Sequence, residues 1–126
     1  MKWLALTAAA LIVILAACIG VWYYLRDSAE QVCVTLSAVE EALAAEDWAA
    51  AEQGIGRVEA EWQELVPRWA MLIDHQEMED VEICLVDLKS SVRRRDLQEA
   101  LKEAAELEYF LRHTPDAERP AWENIL

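Results

Sequence analysis

From Trp3 to Leu25 the chain reads WLALTAAALIVILAACIGVWYYL, 23 residues with no charge among them. As an α-helix this run is about 35 Å long, enough to cross a hydrocarbon layer of about 30 Å. In lipid a lone segment must satisfy its own backbone, so a helix is the conformation open to it. Trp3 stands at one end and Trp22, Tyr23 and Tyr24 at the other, where interfacial aromatic rings are expected. Residues 1–26 are therefore predicted to be a membrane anchor. Lys2 precedes the run on a very short flank, as in an uncleaved signal anchor, while Arg26 is followed at once by Asp27 and Glu30. The orientation predicted is N-terminus in the cytoplasm and the remaining chain outside. A competing reading starts from Leu15-Ala16-Ala17-Cys18, which resembles a lipobox whose cysteine is lipidated after cleavage of a signal peptide. The apolar IGVWYYL that follows Cys18 would then have little to bury it, so the intact span is preferred. Both readings tether the rest of the chain to the outer face.

Beyond residue 26 the character changes. All 24 acidic residues lie there with nine of the 11 basic ones, so this segment carries a formal charge of −15. Such a field repels nucleic acid and anionic headgroups and suits cationic partners, divalent ions or plain solubility. With only 3 Gly and 3 Pro in the whole chain, and frequent Ala, Leu and Glu, the composition favours helix. Three cysteines, Cys18, Cys33 and Cys84, show neither CxxC nor zinc spacing. Cys33 and Cys84 each sit one residue from a core position and read as small half-buried apolar residues, in preference to a disulfide.

Apolar residues then recur in alternating steps of three and four. Val32, Leu36, Val39 and Leu43 mark a first helix, from about Asp27 to Ala45, that could continue the membrane helix. Trp48, Ala51, Ile55, Val58, Trp62 and Leu65 mark a second; Met78, Val81, Leu85, Leu88 and Val92 a third. Leu97, Ala100, Leu101, Ala104, Leu107 and Leu111 give a fourth a broader face. Asp47 can cap the second helix, while Asp74 with Glu77 and Asp96 with Glu99 form possible capping boxes. Pro67 interrupts the second pattern and predicts a kink near Val66 or a break there. An offset of 49 residues lays Val32, Leu36, Val39 and Leu43 on Val81, Leu85, Leu88 and Val92, and Asp47 on Asp96. Each half is thus a helical hairpin with an Asp-marked turn.

The fold class predicted is all-α: an N-terminal transmembrane helix followed by a four-helix domain of two stacked antiparallel helical hairpins, over residues 27–113. Residues 114–126, with Pro115 and Pro120, form a tail predicted to dock through its apolar end. Trp122 in that tail is also a candidate contact for a partner.

Sequence motifs for chemistry are sparse. No P-loop, nucleophile elbow, dinucleotide fingerprint or zinc motif occurs. Arg93, Arg94 and Arg95 end the third helix, where positive charge suits the carbonyl end of the dipole. His113 has a similar place on the fourth. His75, Glu79 and Glu82 share one helix face and could hold a metal ion, but in so acidic a chain a local ion pair at the helix start is the plainer reading. Trp48 and Trp62 read as core, and Trp69 beside Pro67 as a possible groove residue.

Glu46-Asp47-Trp48, Trp62 with Trp69, Leu72-Ile73-Asp74-His75-Gln76-Glu77 and the ending Asn124-Ile125-Leu126 together resemble domain-of-unknown-function family 4363. These are short proteins of spore-forming and related Gram-positive bacteria with an N-terminal membrane segment. Pro67 departs from the family pattern. The resemblance covers essentially the whole chain and implies a bacterial membrane protein without catalytic residues. The function expected is a non-catalytic interaction module, with no cofactor, that meets an envelope or membrane protein through Trp69, His75 and Trp122. The alternative is an extracytoplasmic ligand- or cation-binding domain. The oligomeric state is left open.

Overall fold

In a computed structural model that describes residues 1–117, four helices follow one another: α1 (Lys2–Ala44), α2 (Trp48–Trp69), α3 (His75–Arg93) and α4 (Leu97–Ala117). Among the described residues there is no strand. The all-α, four-helix reading is borne out, and α1 is one unbroken helix through both the apolar run and the first bundle segment. Its 43 residues make a rod of about 65 Å. The rod's first half lies bare, and its second half buries Leu25, Ala29, Val32, Cys33, Leu36, Val39 and Leu43.

Neighbouring helices pack in a closed ring, α1 on α2, α2 on α3, α3 on α4 and α4 on α1, with the α2–α3 contact the least extensive. The apolar positions at steps of three and four line the centre, with Val58, Trp62, Leu85, Leu88, Leu107 and Leu111 among the buried residues. Leu101 departs from expectation and lies exposed, because Leu97, Ala100, Ala104, Leu107 and Leu111 already complete the inward stripe.

The two hairpin turns are built alike. At the first, the Glu46 and Asp47 amides donate to the carbonyls of Leu43 and Ala42, at 3.0 and 2.9 Å. At the second, Arg95 and Asp96 donate to Val92 and Ser91, both at 3.0 Å. This double bond pattern closes a helix with one left-handed residue, and φ is 53° at Glu46 and 56° at Arg95. The next residue opens the following helix. Asp47 Oδ1 accepts from the Ala50 amide and Asp96 Oδ1 from the Glu99 amide, each at 3.2 Å. All of these pairs differ by the same 49 positions, so the offset read from sequence extends to individual backbone bonds.

Both described prolines lie within helices, so of the two outcomes predicted for Pro67 the break does not occur. The α2 helix runs through Pro67 and stops only after Trp69, where Asp74 caps α3 through Gln76 N. Pro67 and Pro115 each lie inside the last turn of a helix, so each forgoes one amide bond to the carbonyl four residues back but leaves little helix beyond it to be displaced. Thr114 to Ala117 belong to α4, which runs past the predicted bundle boundary at residue 113. The predicted docking of the chain end, Trp122 included, lies outside the described residues.

Candidate functional site

Where the apolar run meets the bundle, α1 is clamped by aromatic rings. Val21 and Tyr24 already pack on the core, and Leu25, Ser28 and Ala29 are buried. Trp69 Nε1 donates to Ser28 Oγ at 3.0 Å, and Ser28 Oγ in turn donates to the Tyr24 carbonyl at 2.7 Å. Trp62 meets Trp69 edge-on, with ring centroids 5.4 Å apart. Trp69 is thus fully buried at 0 % exposure and lines no open groove, which corrects the sequence reading. Its ring is needed inside because α1, α2 and the α2–α3 connection converge there, and its one polar atom finds a partner in Ser28.

His75 and Glu79 do meet, through Nε2 and Oε1 at 2.9 Å, on an exposed surface at the start of α3. Glu79 continues, with Glu82, into a shallow open groove completed by Ile83, Val86 and Asp87. Ile83 and Val86 are 58 % and 65 % exposed, an apolar pair rimmed by carboxylates. They sit off the inward stripe of α3, so periodicity assigned them no role.

Between α4 and α1 Arg112 bridges two acids. Its Nη1 donates to Glu30 Oε2 of α1 at 2.6 Å and its Nε to Glu108 Oε1 at 3.0 Å. Burial, then the charge of Glu108 and a hydrogen bond with it, push the Glu40 carboxyl above its ordinary range, against the opposing charge of Arg112.

Between α3 and α4 lies a group that sequence reading missed. One donor atom each of Cys84, Glu103 and Glu106 lie within 4.8 Å of one another. Cys84 is 5 % and Glu103 6 % exposed, and Glu103 Oε2 has no hydrogen-bond partner. Burial, followed by the charges of Glu103, Glu106, Asp87 and Asp80, pushes the Cys84 thiol up to about 11. The Glu103 carboxyl is likewise raised, first by burial and then by a hydrogen bond with Glu99 and the charges of Glu106 and Asp87. The signal was present in the repeat. At the 49-residue offset Glu103 falls on Gly54, where α2 comes so close to α1 that a Cβ would stand 2.6 Å from Val39 Cγ2. A carboxylate in a slot that the other hairpin fills with glycine is a marked exception. Cys33, by contrast, is a free, buried thiol apart from this group, and Cys84 is free as well.

An N-terminal apolar helix, continuous with a ring of two equivalent hairpins, defines a small all-α domain led by a candidate membrane span. The profile of the family described as domain of unknown function (DUF4363) matches residues 19–125, and the chain belongs to that family. Neither a curated protein nor a solved structure matches it.

Proposed function

We propose that this chain is a non-catalytic, membrane-tethered interaction module whose bundle stands outside the cytoplasm and receives an envelope or membrane protein on the outer face of α3. The observation that carries the reading is the Ile83–Val86 pair, two large apolar side chains held open within a rim of carboxylates. Exposed apolar side chains on so acidic a surface cost solubility and suit a site that is covered in use. The unbroken α1 supports the tether, because the apolar half lies bare while the other half is core. The rim of Glu79, Glu82 and Asp87 favours a partner with basic residues around an apolar contact.

Site-specific photo-crosslinking in intact cells tests this. A photoreactive residue at Val86 is expected to trap one discrete envelope protein, and Ile83→Asp is expected to abolish the adduct. The same probe at exposed Arg57 is expected to trap none. Identical adducts from both positions, or persistence of the adduct in Ile83→Asp, would defeat the proposal. Digestion of the bundle by protease added outside intact protoplasts checks the orientation, and full protection of the C-terminal part would reverse it.

A further inference from the structure

We infer that Cys84, Glu103 and Glu106 form a binding site for a thiophilic divalent cation of the zinc type. Three features of this cluster between α3 and α4 point there. The donors come from two helices and already converge, with one atom of each within 4.8 Å of the others. In a tetrahedral zinc site, Zn–S of about 2.3 Å and Zn–O of about 2.1 Å set the donors about 3.5 Å apart, so small side-chain rotations complete the set. The second feature is Glu103 itself, 94 % withdrawn from solvent at 6 % exposure, with Oε2 unpartnered. A buried acceptor without a donor is costly, and a cation satisfies it.

The third feature is the sign of the surroundings. The groups whose charge bears on Cys84 and Glu103 are acids: Glu99, Glu106, Asp87 and Asp80. One thiolate and two carboxylates overbalance a divalent ion by a single negative charge, and the outer acids deepen the well. Binding is written as M²⁺ replacing the thiol proton of Cys84, which is released to solvent, with Glu103 and Glu106 as the two carboxylate ligands. The donor set selects the ion. Calcium and magnesium require six or more oxygens, whereas a thiolate with two carboxylates suits zinc or cadmium and leaves a position for water. The site is separate from the His75–Glu79 pair, whose ring nitrogen and carboxylate lie on an exposed stretch at the opening of α3. Its three ligands are distinct from the residues of the Ile83–Val86 surface, with which it shares only the nearby charge of Asp87, and it does not depend on the membrane orientation.

The experiment uses the full chain in detergent micelles, titrated with cadmium chloride and then with zinc chloride. Cadmium is expected to raise the ultraviolet charge-transfer band of a cadmium thiolate at one equivalent, and zinc to displace it. Cys84→Ser is expected to abolish the band, and Glu103→Gln and Glu106→Gln each to weaken zinc binding by about tenfold or more, roughly 1.4 kcal/mol or more. Cys33→Ser and His75→Ala are expected to retain wild-type binding. Helical circular dichroism establishes that each variant is folded. Glu106→Gln keeps the test decisive if the other two variants fail to fold. Absence of the band in the wild type, its loss in Cys33→Ser, or wild-type zinc affinity in folded Glu106→Gln would overturn the assignment.

Discussion

Two glycines in α2 predict opposite outcomes for the same substitution. At Gly54 an added Cβ would lie 2.6 Å from Val39 Cγ2, with the Val39 Cα and Cβ at 3.6 and 3.7 Å. Valine in a helix has one strongly preferred χ1, so this methyl has no easy retreat. The helices must separate locally or Val39 must leave its rotamer, an overpacking cost of about 1–3 kcal/mol. Alanine's helix preference over glycine returns about 1 kcal/mol. The net expectation for Gly54→Ala is a loss of up to about 2 kcal/mol. At Gly56 nothing lies within 4 Å of the added carbon, so Gly56→Ala collects the propensity gain alone. It is expected to stabilise by about 0.5–1 kcal/mol. The assay is urea unfolding of the full chain in micelles, followed by helical circular dichroism. Since both variants contain alanine for glycine in one helix, unfolded-state effects largely cancel between them. Val39→Ala in the Gly54→Ala background should restore part of the loss, because it removes the opposing methyl. Equal stabilisation by Gly54→Ala and Gly56→Ala would refute the close approach of α1 and α2 on which the argument rests.

The turn residues Glu46 and Arg95 hold left-handed φ without being glycine, so Glu46→Gly and Arg95→Gly are each expected to stabilise by about 0.5–1 kcal/mol in the same unfolding assay. Destabilisation by both would remove the case for matched turns. Trp69→Phe keeps most of the ring but loses the bond to Ser28 Oγ, and a cost of about 1–2 kcal/mol is expected by thermal unfolding. An unchanged midpoint would show that the aromatic clamp is held by packing alone. Glu40 has a folded-state pKa above its unfolded value, so the folded protein binds the proton more tightly. Its contribution therefore favours folding at acidic pH and is lost as pH rises from the unfolded pKa through the folded one. Comparing wild type with Glu40→Gln by urea unfolding between pH 4 and 7 should show a flatter pH dependence in the variant, and parallel curves would exclude the effect.

Much of the bundle was legible because helices advertise their inward stripe. Val32, Leu36, Val39 and Leu43, with their counterparts Val81, Leu85, Leu88 and Val92, are all buried as the alternating steps require. The Asp47 and Asp96 turns could be read for a similar reason: the capping side chain, the chain reversal and the next helix all fall within a few neighbouring residues. Pro67 does not end α2, and Pro115 lies within α4: each sits so near a helix end that little helix follows it, and sequence places helix ends poorly. Trp69 misled because its neighbour Ser28 is remote in sequence. Glu103 escaped for a deeper reason. Periodicity marks which positions face inward on average, and a carboxylate at the edge of that stripe reads as solvated until a second helix closes over it. The exposed Ile83 and Val86 were passed over for the converse reason, as apolar residues off the stripe.

The absence of any hinge in α1 has a mechanical consequence. Val21 and Tyr24 are already seated on the core, so no free linker separates the apolar segment from the bundle. Whatever holds the first turns of that rod also fixes the azimuth of everything downstream. One extra residue inserted ahead of Val21 would swing the α3 face by about 100° and lift it by about 1.5 Å. A receptor on a fixed neighbour would then face the wrong side of the molecule, although every contact inside the bundle had survived.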